Sequence, residues 1–150
     1  MTDRALALDV GSRRVGVAVS DPAGILATPL VTLPRRGPAE DAGTIGRLAA
    51  ECDATVVVVG LPVSLSGREG PAARAVRAYV DELRELLPEL AFELADERLS
   101  TVSAERALVE GGVRRRARRD LVDQVAASVF LQAWLDARRQ DAGAERRGER

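Results

Sequence analysis

The sequence contains neither histidine nor lysine, and each absence excludes a class of chemistry. Without histidine there is no Ser-His-Asp or Cys-His nucleophilic catalysis, no imidazole acid–base step and no histidine metal site. Without lysine there is no Walker-type phosphate loop, which excludes P-loop ATPases. Any catalysis by this chain must therefore use carboxylates, hydroxyls, arginines, the backbone or a bound metal ion.

Cysteine, aromatic residues and long hydrophobic runs are also scarce. Cys52 is the single cysteine, which excludes an intrachain disulfide and a cysteine-based zinc cage. Aromatic residues make up 3% of the chain, so there are few platforms on which bases could stack. No apolar run approaches the roughly 20 residues of a membrane helix, and the first ten residues lack the pattern of a signal peptide. We therefore expect a cytoplasmic protein without a membrane partner.

The composition that remains is ordinary for a single globular domain. The 150 residues are 46% hydrophobic and 30% charged, and the net charge is −1. A chain of this length can bury one sizeable core. We expect a single domain over residues 1–137, followed by a polar tail over residues 138–150 that is too hydrophilic to fold.

The hydrophobic pattern predicts an α/β fold with a mixed five-stranded sheet flanked by helices on both faces. Strands are predicted at 5–10, 14–20, 25–33, 55–60 and 90–95, and helices at 39–52, 71–87, 100–110 and 120–137. Short turns join the first three strands, which predicts an antiparallel meander, whereas helices precede the last two, which should run parallel. Pro29 argues that the third strand lies at an edge or bends.

Asp9 is the first candidate functional residue, because aspartate is uncommon inside a strand. Alternation places it on the same face as Ala5 and Ala7. Gly16 and Ala18 share a face of the next strand, so a hairpin would surround Asp9 with small residues and leave room for a metal ion or a substrate backbone. The alternative is that a helix packs closely there and that Asp9 only accepts hydrogen bonds from the turn.

A second acidic position follows the strand at 90–95. Asp96 and Glu97 are neighbours, and neighbouring strand residues point to opposite faces, so only one of them can share a site with Asp9. The alternation does not say which one. The alternative is a solvated strand end in which a carboxylate pairs with Arg98.

A third acidic position, Asp123, heads the apolar stripe of the last predicted helix, three and four residues before Ala126 and Ala127. A carboxylate on a face that points toward the core requires a partner. The alternative is local: Asp120 would cap the helix, and Asp123 in the first turn would interact favourably with the helix dipole.

The three acidic positions together predict a site for hard divalent cations. Carboxylates without histidine are the ligands that Mg²⁺ or Mn²⁺ prefers. Two such ions about 3.5–4 Å apart can hold the attacking water and the leaving oxygen of an in-line displacement at phosphorus.

A dense basic run precedes Asp123. It consists of Arg114, Arg115, Arg116, Arg118 and Arg119. We interpret it as a surface that binds the phosphates of a nucleic acid and positions the strand without reading its sequence. The alternative is a solvated loop that pairs with acidic neighbours.

Four sequence blocks, taken together, resemble the motifs of a known family in order and spacing. They are LALDVGSRRVGVAVSD, VVVVGLPVSLSGREGP, DERLSTVSAE and VDQVAASVFLQAWL. The resemblance is to the YqgF/RuvX family, described as pre-16S ribosomal RNA nucleases and as Holliday-junction resolvase-like proteins, and it covers nearly all of residues 5–137. The departures are Val10, Ser12 and a basic loop made only of arginine.

The resemblance implies a ribonuclease H-like fold and a divalent-metal-dependent endonuclease that processes the 5′ end of pre-16S ribosomal RNA. It implies that Asp9, Glu97 and Asp123 are the catalytic metal ligands, which selects Glu97 over Asp96. It further implies a substrate loop at Gly60, Leu61 and Pro62, and nucleic-acid contacts from Arg14, Arg98 and the basic run. The chain would act as a monomer or a homodimer.

Three other interpretations stay open. The same chemistry would serve a resolvase acting on a Holliday junction or other branched DNA. The stretch DVGSRRVGVAVSD also resembles the first phosphate loop of the actin and sugar-kinase superfamily, although one domain supplies only half of that cleft. A non-catalytic nucleic-acid-binding factor would be a further class, against which the retention of all three acids argues.

Overall fold

The computed structural model describes residues 4–64, 66–97 and 115–148. The strands in these ranges are β1 (Arg4–Val10), β2 (Arg14–Ser20), β3 (Ala27–Pro34), β4 (Ala54–Leu61) and β5 (Ala91–Asp96), and the helices are α1 (Pro38–Glu51), α2 (Pro71–Leu86) and α3 (Arg115–Gly148). The helix predicted at 100–110 lies outside the described residues.

The strands form one five-stranded sheet in the order β3-β2-β1-β4-β5. The β1–β2 and β2–β3 pairs are antiparallel, and β4 pairs in parallel with β1 and with β5. The predicted meander with parallel additions is therefore confirmed. Strand β3 lies at an edge, as Pro29 predicted, and the register of its pairing with β2 shifts next to that proline.

The two faces of the sheet bury different kinds of side chain. Larger residues such as Leu6, Leu8 and Val57 pack beneath α1 and α2. On the opposite face, small residues such as Ala7 and Ala18 pack against α3. Because a helix approaches most closely where side chains are small, this second face allows α3 to lie directly on the sheet.

Helix α2 buries only some of the apolar residues that recur at helical spacing in its sequence. Ala75 and Leu86 follow this spacing, but both are exposed, Leu86 by 49%. The buried stripe is Ala73, Val76, Tyr79, Val80 and Leu83. A spacing of three and four residues describes one face of a helix, and Ala75 and Leu86 lie on its border.

Helix α3 is longer at both ends than the prediction of 120–137. Residues 138–148 continue the helix and so do not form the disordered tail that their polarity predicted. Alanine, arginine, glutamine and glutamate in this segment are strong helix formers. Side chains one turn apart also contact each other: the Arg138 guanidinium lies 4.5 Å from the Trp134 ring centroid, and Arg139 pairs with Asp136. Within the described ranges, no helix has the length and apolar character needed to cross a bilayer.

Candidate active site

Asp9 lies at the centre of the sheet, near the end of β1 and directly opposite Gly16 of β2. It is half-buried, and Gly16 contributes no side chain of its own to the space beside it. A helix fills part of that space, since a Cβ atom at position 16 would collide with the backbone of Asp123. The predicted face of small residues is thus confirmed. The helix that the alternative interpretation placed close to Asp9 is also present, and it brings the carboxylate of Asp123 toward Asp9.

Glu97 follows the last residue of β5, on the side of the sheet that faces Asp9. Its Oε2 atom is buried, whereas Asp96 is exposed. Space for this carboxylate comes from Gly60 of β4, where a Cβ atom would lie closer than 3.0 Å to Glu97 Oε2 and 2.7 Å from Phe130 Cε1. Of the two acidic neighbours that alternation left open, Glu97 is thus the one that lies beside Asp9.

Asp123 lies in the third turn of α3, because the helix begins at Arg115. The alternative in which Asp120 caps the helix and Asp123 stabilises its first turn is therefore wrong. Arg14 Nε donates a hydrogen bond of 3.3 Å to Asp123 Oδ2. The two side chains are 40% and 22% exposed, so this ion pair stays open to solvent and to competing ligands.

The three carboxylates influence one another electrostatically. Burial, the nearby charge of Glu97 and a hydrogen bond with Glu97 raise the pKa of Asp9 from 3.8 to about 8, and the charge of Asp123 adds to this rise. Burial chiefly raises the pKa of Glu97, and the charges of Asp96 and Asp123 act in the same direction. Repulsion among like charges in a half-buried site is relieved by a proton or by a cation.

The raised pKa of Asp9 predicts an unusual pH dependence of stability. Between pH 3.8 and about 8, the folded chain holds a proton on Asp9 that the unfolded chain has already released. Stability falls with rising pH wherever the native state binds more protons. In EDTA, the difference in melting temperature between Asp9→Asn and the unmodified chain should therefore grow in favour of the variant across this window. Thermal melts at several pH values would measure it, and a constant difference would contradict it.

The oxygen donors of the three carboxylates are of the type that a hard divalent cation prefers. The three side chains offer only carboxylate oxygens, and their mutual repulsion favours a positive partner. Over the described ranges, however, no three potential ligands already enclose a metal position. A cation would have to replace the Asp9–Glu97 hydrogen bond and the contact between Arg14 and Asp123.

The other predicted site residues have different outcomes. Arg98 and Arg114 lie outside the described residues. Arg115, Arg116, Arg118 and Arg119 lie in the first two turns of α3, so they belong to a helix and not to a loop; their side chains also lie outside the description. Gly60 and Leu61 are the last residues of β4, and Pro62 follows them.

Two features of the site were missed by sequence reasoning. Phe130 packs against Gly60 beside Glu97, although its sequence context marks it only as a further apolar residue of the last helix. Arg35 reaches from the loop after β3 to the turn that follows Asp9. No sequence signal distinguishes Arg35 from the other arginines of the chain.

Comparison with known proteins gives consistent matches. The family model described as "RuvX: Holliday junction resolvase" matches residues 3–137. A Nocardia farcinica protein named "Putative pre-16S rRNA nuclease" is 50% identical over 141 residues, covering 90% of this chain and 78% of that protein. A Rhodococcus opacus protein of the same name is 47% identical over 145 residues, covering 94% and 82%.

Solved structures of low sequence identity share the fold. T. thermophilus RuvC in complex with a Holliday junction substrate matches with a TM-score of 0.53 at 16% identity, over 91% of this chain and 96% of that one. The fowlpox virus resolvase bound to Holliday junction DNA matches with a TM-score of 0.51 at 8% identity, over 89% and 97%. The predicted ribonuclease H-like fold is confirmed.

Proposed function

We propose, from the premise that this chain belongs to the RuvX family of nucleases, that it is a metal-dependent endonuclease acting on the precursor of 16S ribosomal RNA. Relatives that are 47–50% identical to it carry that RNA in their names, which favours RNA over a DNA junction. Processing of the 5′ end of this precursor would place the reaction in the cytoplasm. The observation that supports the hydrolytic mechanism is the proximity of three carboxylates: Asp9 shares a hydrogen bond with Glu97, and the charge of Asp123 helps to raise the pKa of both.

The three carboxylates would hold Mg²⁺ or Mn²⁺. When bound, a divalent cation supplies positive charge that stabilises the attacking and leaving oxygens of an in-line displacement. Asp9 must first release the proton that it shares with Glu97, so cation binding and proton release are linked. Asp9 lies in β1 and Glu97 directly follows β5, and both strands pair with β4 in the same sheet, so the sheet fixes where each carboxylate begins.

Arginines would hold the substrate strand over these carboxylates. Arg14 is 40% exposed and lies against Asp123, so it can exchange this carboxylate for a phosphate oxygen when the site fills. Arg98, Arg114 and the arginines at the start of α3 would bind phosphates further along the strand. Such contacts fix the position of the backbone and do not select a base sequence.

The predicted substrate loop of Gly60, Leu61 and Pro62 divides into two roles according to its position in the fold. Gly60 keeps the space into which the Glu97 carboxylate projects. We propose that Gly60 keeps the Glu97 carboxylate close to Asp9, and that Leu61 and Pro62 form the edge of the site along which the substrate strand would lie. The loop after them is compact: Ser64 N–H donates to Arg68 O at 3.0 Å, and Glu69 pairs with Arg77 of α2.

A direct test compares two substrates in parallel. One is a pre-16S ribosomal RNA fragment that carries its 5′ extension, and the other is a four-way DNA junction, each incubated with Mg²⁺ or Mn²⁺ and with EDTA. We expect metal-dependent cleavage of the RNA, and no cleavage by Asp9→Asn, which should still bind the RNA. Cleavage of the junction alone would favour the resolvase. RNA binding without cleavage by the unmodified chain would favour a non-catalytic factor.

A further inference from the structure

Arg35 contacts the turn between β1 and β2 from outside the acidic cluster. Its Nη1 atom donates a hydrogen bond of 2.8 Å to the carbonyl of Gly11, and its backbone N–H donates one of 2.9 Å to the carbonyl of Arg13. Within the turn, Gly11 N–H donates to the carbonyl of Arg14 at 2.7 Å. A single residue of the loop after β3 therefore binds both the start and the end of this turn.

The turn connects two groups of the acidic site. Gly11 lies two residues beyond Asp9, and Arg14 begins β2 and contacts Asp123. The turn is tight, since a Cβ atom on Gly11 would lie 3.0 Å from the Arg14 carbonyl oxygen. A shift of its backbone would therefore move the Asp9 carboxylate and the Arg14 guanidinium together.

Buried groups hold Arg35 in place. Its guanidinium lies 4.8 Å from the ring centroid of Tyr79, which is 3% exposed. The Tyr79 hydroxyl donates a 2.8 Å hydrogen bond to Asp41, a buried carboxylate. Asp41 in turn accepts hydrogen bonds from the backbone amides of Arg36 and Gly37, at 3.1 and 3.3 Å. The loop that carries Arg35 and the ring on which it rests are thus fixed by one carboxylate.

We propose that Arg35 is a positioning residue for phosphodiester cleavage, which holds the turn of residues 11–14 so that Asp9 and Arg14 keep their places beside Asp123. This inference rests on the proposed nuclease function. Arg35 acts through the turn: its Nη1 donates to the Gly11 carbonyl, and its guanidinium lies over the Tyr79 ring. Reacting groups displaced by about 1 Å can lower a rate by about 100-fold, so a contact outside the site can control the rate.

The variant Arg35→Met tests this role, because methionine keeps an apolar stem over Tyr79 and loses the donor to Gly11. Arg4→Met is a matched control: Arg4 also donates to two carbonyls, of Ser20 at 3.0 Å and Cys52 at 2.9 Å, but at the opposite end of β1. We expect Arg35→Met to lower kcat by at least about tenfold with KM within about twofold. Arg35→Lys, which can still donate to Gly11, should recover part of this loss, and Arg4→Met should keep kcat within about twofold.

A second measurement does not depend on cleavage. Hydrogen exchange of the Gly11 amide should be faster in Arg35→Met than in the unmodified chain and unchanged in Arg4→Met. If the unmodified chain cut neither substrate, the nuclease proposal would fail, and this exchange rate would still decide whether Arg35 holds the turn. Unchanged exchange, an unchanged kcat in Arg35→Met, or an equal loss of kcat in both methionine variants would overturn the inference.

Discussion

Glu97→Gln should reduce the rate of metal-dependent cleavage by more than about 100-fold, because groups that merely support a metal ligand already change activity by about 10- to 100-fold. Asp96→Asn, one residue earlier, should leave the rate within about twofold of the unmodified chain. Both changes replace a carboxylate by an amide of nearly the same shape. They differ in position, since the Glu97 carboxylate is buried beside Asp9 and Asp96 is exposed.

Single-turnover cleavage of the RNA fragment at saturating Mn²⁺ would measure both variants. Glu97→Gln should retain its affinity for the RNA and a cooperative thermal transition, since the amide can still bond with Asp9 in the space that Gly60 provides. Equal losses in the two variants would mean that local charge matters and that neither side chain is a specific ligand. A large loss of rate in Asp96→Asn alone would mean that Asp96 is the metal ligand and that Glu97 is not.

Much of the fold could be predicted from the sequence, because short turns and runs of one residue type restrict the local structure strongly. Short turns after Val10 and Ser20 permit only antiparallel neighbours, and the unbroken valines of β4 indicate a strand that is buried on both faces. Helix ends have weaker local signals than strands. Helix α3 begins five residues before the predicted start, because a run of arginines is as typical of a polar loop as of a helical turn.

The site could be predicted only in part, because contacts between distant segments have no local signal. Asp9 stood out as a charge in a strand, and Asp123 as a charge on an apolar stripe. The choice between Asp96 and Glu97 depends on the space beside Gly60, which belongs to another strand. Arg35 depends on the geometry of a turn 24 residues away in sequence, which no pattern in its own segment reveals.

Gly16→Ala should be the most destabilising single methyl addition on the sheet face that α3 covers. The added Cβ would lie closer than 3.0 Å to the carbonyl carbon and oxygen of Asp123, and helix backbone cannot rotate away as a side chain can. Overpacking typically costs about 1–3 kcal/mol, so we expect a loss of about 3 kcal/mol or more in the free energy of unfolding. Cleavage should fall as well, because α3 can relieve the collision only by moving Asp123 away from Asp9.

Gly43→Ala is the matched control for Gly16→Ala, because it adds the same methyl group at an exposed position. Gly43 lies on the exposed side of α1 with no atom within 4 Å of the position of a Cβ, so alanine should stabilise the helix by roughly 0.5–1 kcal/mol. Urea unfolding of both variants measures the difference directly. If Gly16→Ala were as stable and as active as the unmodified chain, α3 could not rest on β2 at Asp123. The contact between α3 and Gly16 would then not be what places the Asp123 carboxylate near Asp9, and the proposed cluster of three acids would lose its structural support.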